Sequence, residues 1–237
     1  MGDEKAVPAL VWTRGPRTPR RQTMNLGRIV EISIAIADAE GLDALSMRRV
    51  ATDLDSGTTS LYRHVAGRDE LLDLMIDAVQ GEDAPPPLTG DWRADLGDVA
   101  RRQRAVLLRH SWLGGVMSTR PALGPNALRQ IDHALAAAAA LTPDITLASD
   151  VIALVTHYVF GTVSRELAEQ EVQRRTGQTE DEWRESIGPY IREVVASGTY
   201  PQFARRVIEA QDRSFDELFG FGLACVLDGI AGRLGGG

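Results

Sequence analysis

The chain has 237 residues, 43% hydrophobic and 25% charged, which excludes a disordered or collagen-like polypeptide, and its single cysteine, Cys225, excludes an internal disulfide or a cysteine-rich zinc site. The net charge of -7 argues against a nucleic-acid partner until its distribution is read. Residues 14–68 carry nine Arg against six acids, whereas residues 81–237 carry 16 basic against 21 acidic groups, so the basic part is the front.

Residues 1–23 hold three prolines and the cluster Arg14, Arg17, Arg20 and Arg21 without periodicity, and read as a mobile basic arm. Ile29, Ile32, Ser33, Ile36 and Ala37 recur at helical spacing before Gly41, which predicts a first helix over 25–40. Ser46 is an N-cap for a short second helix over 47–54, and Asp55-Ser56-Gly57 is a turn. A third helix is expected over 58–65 with Leu61 and Val65 inward, and a fourth over 69–80 with acids in its first turn. Pro85, Pro86 and Pro87 place a linker at 81–90. Beyond it, helices are expected over 91–110, 124–141, 144–175, 180–196 and 215–234. No stretch alternates like a strand, so the fold class is all-α: a small N-terminal domain over 24–80 and a larger helical domain over 91–237. No apolar run approaches the roughly 20 residues of a membrane span, and 1–5 carry two acids, so a soluble cytoplasmic protein is expected.

Two short helices joined by a tight turn, the second rich in hydroxyls, match what a helix-turn-helix requires. Thr58, Thr59 and Ser60 start the helix that would enter a groove, and Leu61 and Val65 would anchor it from behind. On these residues alone a capped helix start with solvated arginines fits as well. The wider segment, with Glu40-Gly41-Leu42, Leu45-Ser46-Met47-Arg48-Arg49-Val50-Ala51, Ser60-Leu61-Tyr62-Arg63-His64-Val65 and Gly67-Arg68-Asp69-Glu70-Leu71-Leu72, resembles the DNA-binding domain of TetR-family transcriptional regulators. Thr119-Arg120-Pro121 and the long 144–175 helix are similar to the ligand-binding domain of the tetracycline-repressor branch.

The resemblance implies a homodimer paired through C-terminal helices, a palindromic double-stranded DNA operator and a releasing small molecule. It assigns Arg48, Thr58 and Thr59 to base edges, and Ser46, Ser60, Tyr62, Arg63, His64 and Arg68 to phosphates. The arm arginines either reach the minor groove, add phosphate contacts or stay off DNA. Candidate ligand-lining residues are Trp112, Met117, Thr119, His133, His157, Tyr158 and Phe160, each of which also fits a core position. A magnesium-ligating His of the tetracycline-binding proteins is replaced by Val116, and the His expected after the fourth helix is missing, so a magnesium-tetracycline site is not expected.

No cofactor or metal is expected, since no His-Glu-x-x-His pattern, phosphate loop or nucleophile elbow occurs. The alternative to a regulator is a small-molecule binding or catalytic domain carrying a vestigial or protein-binding head. Repression is the expected mode, with activation open. Gly220, Gly222 and Gly229 beside Phe219, Leu223, Val226 and Ile230 read as a close-packing face for a second copy, a pattern that a helix buried within one chain also produces.

Overall fold

The structure is a computed structural model and describes residue 12 and residues 25–117 and 123–234. Apart from Trp12, the basic arm lies outside the described residues. Among those described, every regular element is a helix, as in the TetR-family fold expected from the sequence.

The first helix, α1, spans Leu26–Glu40, with the Asn25 side chain accepting from the Arg28 N–H at 2.8 Å. Ile29, Val30, Ile36 and Ala37 form its buried stripe. Ser33 lies in the same stripe and donates its hydroxyl to the Ile29 carbonyl at 2.7 Å, so its burial strands no polar group. Gly41, at φ 81°, stops the helix. A 3₁₀ turn at Leu42–Ala44, not anticipated from the sequence, leads into α2, Met47–Asp53, whose N-cap is Ser46.

The expected third helix is shorter: α3 is Thr58–Leu61. Past Leu61 the chain tightens to i→i+3 bonds, with the Arg63 N–H donating to Ser60 at 3.3 Å and the His64 N–H to Leu61 at 2.8 Å. Leu61 and Val65 still turn inward, at 0% and 1% exposure. Next come α4, Arg68–Gln80, and α5, Trp92–Arg109, the latter capped by Asp91. Two short helices escaped the sequence reading, α6 at Leu113–Met117 and α10 at Pro201–Glu209. Between them lie α7, Pro125–Ala139, α8, Ile145–Thr176, and α9, Glu180–Ala196; α11 is Phe215–Leu234.

The chain forms two compact units, Met1–Ile152 and Ala153–Gly237. In the first, α4 packs on α1 and α7, and α5 packs on α7. The proline-containing segment is fastened inside this unit by Asp95, which is 5% exposed. Its carboxylate accepts from the Thr89 N–H at 3.0 Å, the Thr89 hydroxyl at 2.8 Å and the Gly90 N–H at 3.1 Å. The Thr89 backbone bond, aided by the Thr89 hydroxyl, Gly90 and His133, holds the Asp95 carboxyl below the ordinary aspartate range against the opposing effect of burial. A group depressed in this way stabilises the fold above its unfolded titration range and loses that contribution as pH falls through its folded value. Asp95→Asn is therefore expected to flatten the acid limb of stability below about pH 4, read by urea denaturation across pH.

In the second unit the Tyr158 hydroxyl of α8 donates to the Phe219 carbonyl of α11 at 2.7 Å, and a side chain on Gly222 would strike the Tyr158 ring. Gly222 therefore serves an approach within the chain. The expected close-packing face divides in two, because residues three and four apart share a helix face and neighbouring residues do not. Phe219, Leu223, Leu227 and Ile230 are buried, whereas Gly220, Phe221, Cys225 and Gly229 face outward. One further expectation is corrected: by length and composition α8 is long and apolar enough to cross a membrane. Asp150 is its only Asp, Glu, Lys or Arg between Ile145 and Ser164, and the scattered Thr, Ser and His residues do not offset the apolar ones.

Candidate nucleic-acid interface

The turn between α2 and α3 sets the presentation of the recognition segment. Asp55 sits at φ 48°, the single non-glycine residue at positive φ among the described residues. The short carboxylate side chain tolerates this conformation, as expected where glycine is the commoner choice. The Ser56 N–H closes the end of α2 on the Ala51 carbonyl at 2.9 Å, and Gly57 starts α3.

With Leu61 and Val65 buried, Thr59, Tyr62 and Arg63 are exposed, Tyr62 by 54%. Thr58, Ser60 and His64 are half-buried. The Ser46 hydroxyl accepts from the Arg49 N–H at 3.1 Å, so its first task is to cap α2. Two adjacent arginines separate in role. The Arg49 guanidinium pairs with Glu40 at 2.7 Å and Asp53 at 3.0 Å, which lowers the Glu40 pKa and raises that of Arg49. Arg48 is exposed on the neighbouring face of α2. Arg68, expected at a phosphate, has a structural task as well: its guanidinium donates to the Leu42 carbonyl at 3.0 Å and the Leu45 carbonyl at 3.3 Å, tying α4 to the 3₁₀ turn.

The candidate ligand-lining residues are divided between the two compact units. Trp112 and His133 belong to the first unit, while His157, Tyr158 and Phe160 belong to the second. Trp112 is 6% exposed, and its indole Nε1 donates to Asp38 at 2.7 Å. His133 is half-buried on α7. His157 is exposed, Tyr158 is engaged with α11, and Phe160 is half-buried; at 100° per residue the three leave α8 in different directions. Thr119 and the Met117 side chain lie outside the described residues.

Sequence reasoning missed a set of buried polar groups in the first unit. His110, 3% exposed, stands with Nδ1 2.8 Å from Asp38 and Nε2 3.1 Å from Glu82. Asp77, 4% exposed, accepts from the Asn126 N–H at 2.8 Å and the Ala127 N–H at 3.0 Å, capping α7 from α4. No local pattern announces either, because the partners are 28 to 74 residues apart. Among the described residues no group of three or more His, Cys, Asp or Glu has the arrangement of a metal site.

Comparison with known proteins agrees with this arrangement. Residues 84–234 match the family described as "Tetracyclin repressor-like, C-terminal domain", a span that includes α8. The HTH-type transcriptional repressor DrrR1 of Streptomyces coeruleorubidus is 43% identical over 97% of this chain and 86% of its own length. An HTH-type transcriptional regulator of Saccharopolyspora erythraea is 39% identical over 68% of this chain and 70% of its own. Among solved structures, the Streptomyces coelicolor TetR family protein ActR in complex with actinorhodin is similar with a TM-score of 0.73 and 28% identity, over 91% of this chain and 99% of that one. The relatives are transcriptional regulators rather than enzymes. With a helix-turn-helix head at its front and a matched C-terminal domain over most of the remainder, the chain belongs to the TetR family of transcriptional regulators.

Proposed function

We propose that the protein is a ligand-responsive repressor that binds a near-palindromic operator as a homodimer and leaves it when a small molecule occupies its C-terminal domain. The observation that carries this reading is the segment from Thr58 to Val65, in which a fully buried Leu61 and Val65 back the exposed Thr59, Tyr62 and Arg63. Such a segment places polar side chains into a groove without moving its own anchor. TetR-family regulators bind DNA and small-molecule ligands and typically dimerise.

In this reading residues 24–80 are the DNA-binding head, 81–90 the linker and 91–237 the ligand-binding and dimerisation domain, with 1–23 as an arm that adds basic charge. Arg48 pairs with a guanine edge, Thr58 and Thr59 face bases, and Ser46, Ser60, Tyr62, Arg63, His64 and Arg68 hold phosphates. That ActR is known in complex with actinorhodin supports a small-molecule site in the C-terminal domain here. The regulator works in the cytoplasm, where its DNA lies.

The test is fluorescence-anisotropy binding to the upstream intergenic duplex, titrated with salt and against a scrambled duplex. The expected result is selective binding whose affinity falls steeply with salt, because phosphate contacts release counterions. Arg48→Ala is expected to cost about 1 to 3 kcal/mol of that selectivity, and Tyr62→Phe to weaken both duplexes alike. Full, selective binding by both variants overturns the assigned interface.

A further inference from the structure

We infer that Asp38, with Glu82, His110 and Trp112, forms a latch that sets the angle at which the DNA-binding head is held; the inference rests on the repressor reading above. Asp38 lies near the end of α1, Glu82 just beyond α4, and His110 and Trp112 at the corner between α5 and α6. One Asp38 oxygen accepts from the Trp112 indole at 2.7 Å and lies 2.8 Å from His110 Nδ1. The other side of the imidazole meets both Glu82 oxygens at 3.1 Å, and Arg109 donates to Glu82 at 2.5 Å. His110 and Trp112 are 3% and 6% exposed, whereas the Asp38 and Glu82 side chains keep about a third of their surface in water, so the buried side of the cluster is the imidazole and the indole.

A second fastening holds α4 itself. Asp77 caps α7, and the Gln130 amide donates to the Gln80 carbonyl at 2.9 Å. Where the direction of a tie is fixed by its chemistry, Arg109, Trp112, Asn126, Ala127 and Gln130 donate, and Glu82, Asp38, Asp77 and the Gln80 carbonyl accept. The direct chain connection, 81–90, carries three prolines and no helix. No helix carries direction through that connection, which Asp95 fastens at Thr89 and Gly90; the hydrogen-bonded cluster at Asp38 and Glu82 adds the tie that sets orientation.

The physical reason is directionality. Apolar contacts tolerate small slides, whereas a hydrogen bond weakens steeply with angle, and a buried group that slips finds no water to replace its partner. Among the described residues no buried side-chain nitrogen or oxygen lacks a partner, so the cluster is complete in this one arrangement. Asp38 and Trp112 are thus positioning residues, acting through the recognition segment and not on DNA. Their effect has a signature. A dimer must place two recognition segments about 34 Å apart, one helical turn of DNA, so freeing the head's angle penalises two-headed binding and spares one-headed binding.

The experiment uses the full chain and duplexes enriched by it from a random pool, each cut to a complete site and to a half-site. Wild-type protein should favour the complete site. Trp112→Phe, which removes the indole N–H donor together with part of the buried ring, and Asp38→Ala should each lower complete-site affinity about tenfold while half-site affinity stays within about twofold. Equal affinities to wild type in both variants overturn the latch, as does a parallel fall on both duplexes that tracks a lowered melting temperature. If wild-type protein itself shows no preference for the complete site, the two-headed repressor reading falls, and the latch falls with it.

Discussion

Leu61→Ala is expected to lower the stability of the first unit by about 2 to 5 kcal/mol, as read by urea denaturation. Leu61 is fully buried and is the only buried residue of α3. A helix of four residues cannot hold itself, since helix formation in water needs a dozen or more residues or tertiary support. That support is Leu61, with Val65 beyond the helix end. Truncation leaves a cavity and releases the recognition segment together, so hydrogen exchange of the 58–65 amides should rise more than that of α1. Ile208→Ala provides the contrast. Ile208 is 72% exposed on α10, and its loss should stay within about 0.5 kcal/mol in the single chain.

The second large effect is expected at Asp77. Its carboxylate accepts from the Asn126 N–H, the Ala127 N–H and the Asn126 amide at 2.8 to 3.1 Å, while the residue is 4% exposed. Asp77→Ala leaves the first N–H groups of α7 buried without an acceptor, each at a cost of about 1 to 3 kcal/mol, so a total near 3 kcal/mol is expected. Asp77→Asn keeps one acceptor oxygen and should lose less. Gly124→Ala is expected to act on the same bond from the other side, because a Cβ at Gly124 would collide with the Asp77 carboxylate. Thermal melts of the three variants check this ordering: Asp77→Ala and Gly124→Ala below Asp77→Asn, and all below wild type.

Most of the helices were legible because their signals are local. Ser46 caps the helix it was expected to cap, Asn25 and Asp91 stand as caps at the expected starts of theirs, and the buried stripe of α1 follows the spacing of Ile29, Ser33, Ile36 and Ala37. Misses occurred where local signal is thin. α6 has five residues, two of them glycine, too few for a period to show. α10 did carry a signal, Pro201 at its first position with Phe203 and Val207 four apart, which short length concealed. α3 was overextended because a pattern of inward residues at 61 and 65 is satisfied equally by a helix and by the tighter turn that follows Leu61.

Sequence by itself determined that this chain is helical, that its basic front folds into a helix-turn-helix and that the remainder resembles a tetracycline-repressor C-terminal domain, because periodicity, caps and motif residues act over three to eight positions. Tertiary structure alone decided which of two neighbouring arginines is held by acids and which stays exposed, since Glu40 is nine residues from Arg49. It alone placed Trp112, read as a ligand-lining candidate, against Asp38, and assigned Gly222 to an approach within the chain. Those outcomes depend on groups separated by up to 74 residues, whose meeting is written in how the helices pack and in no local pattern.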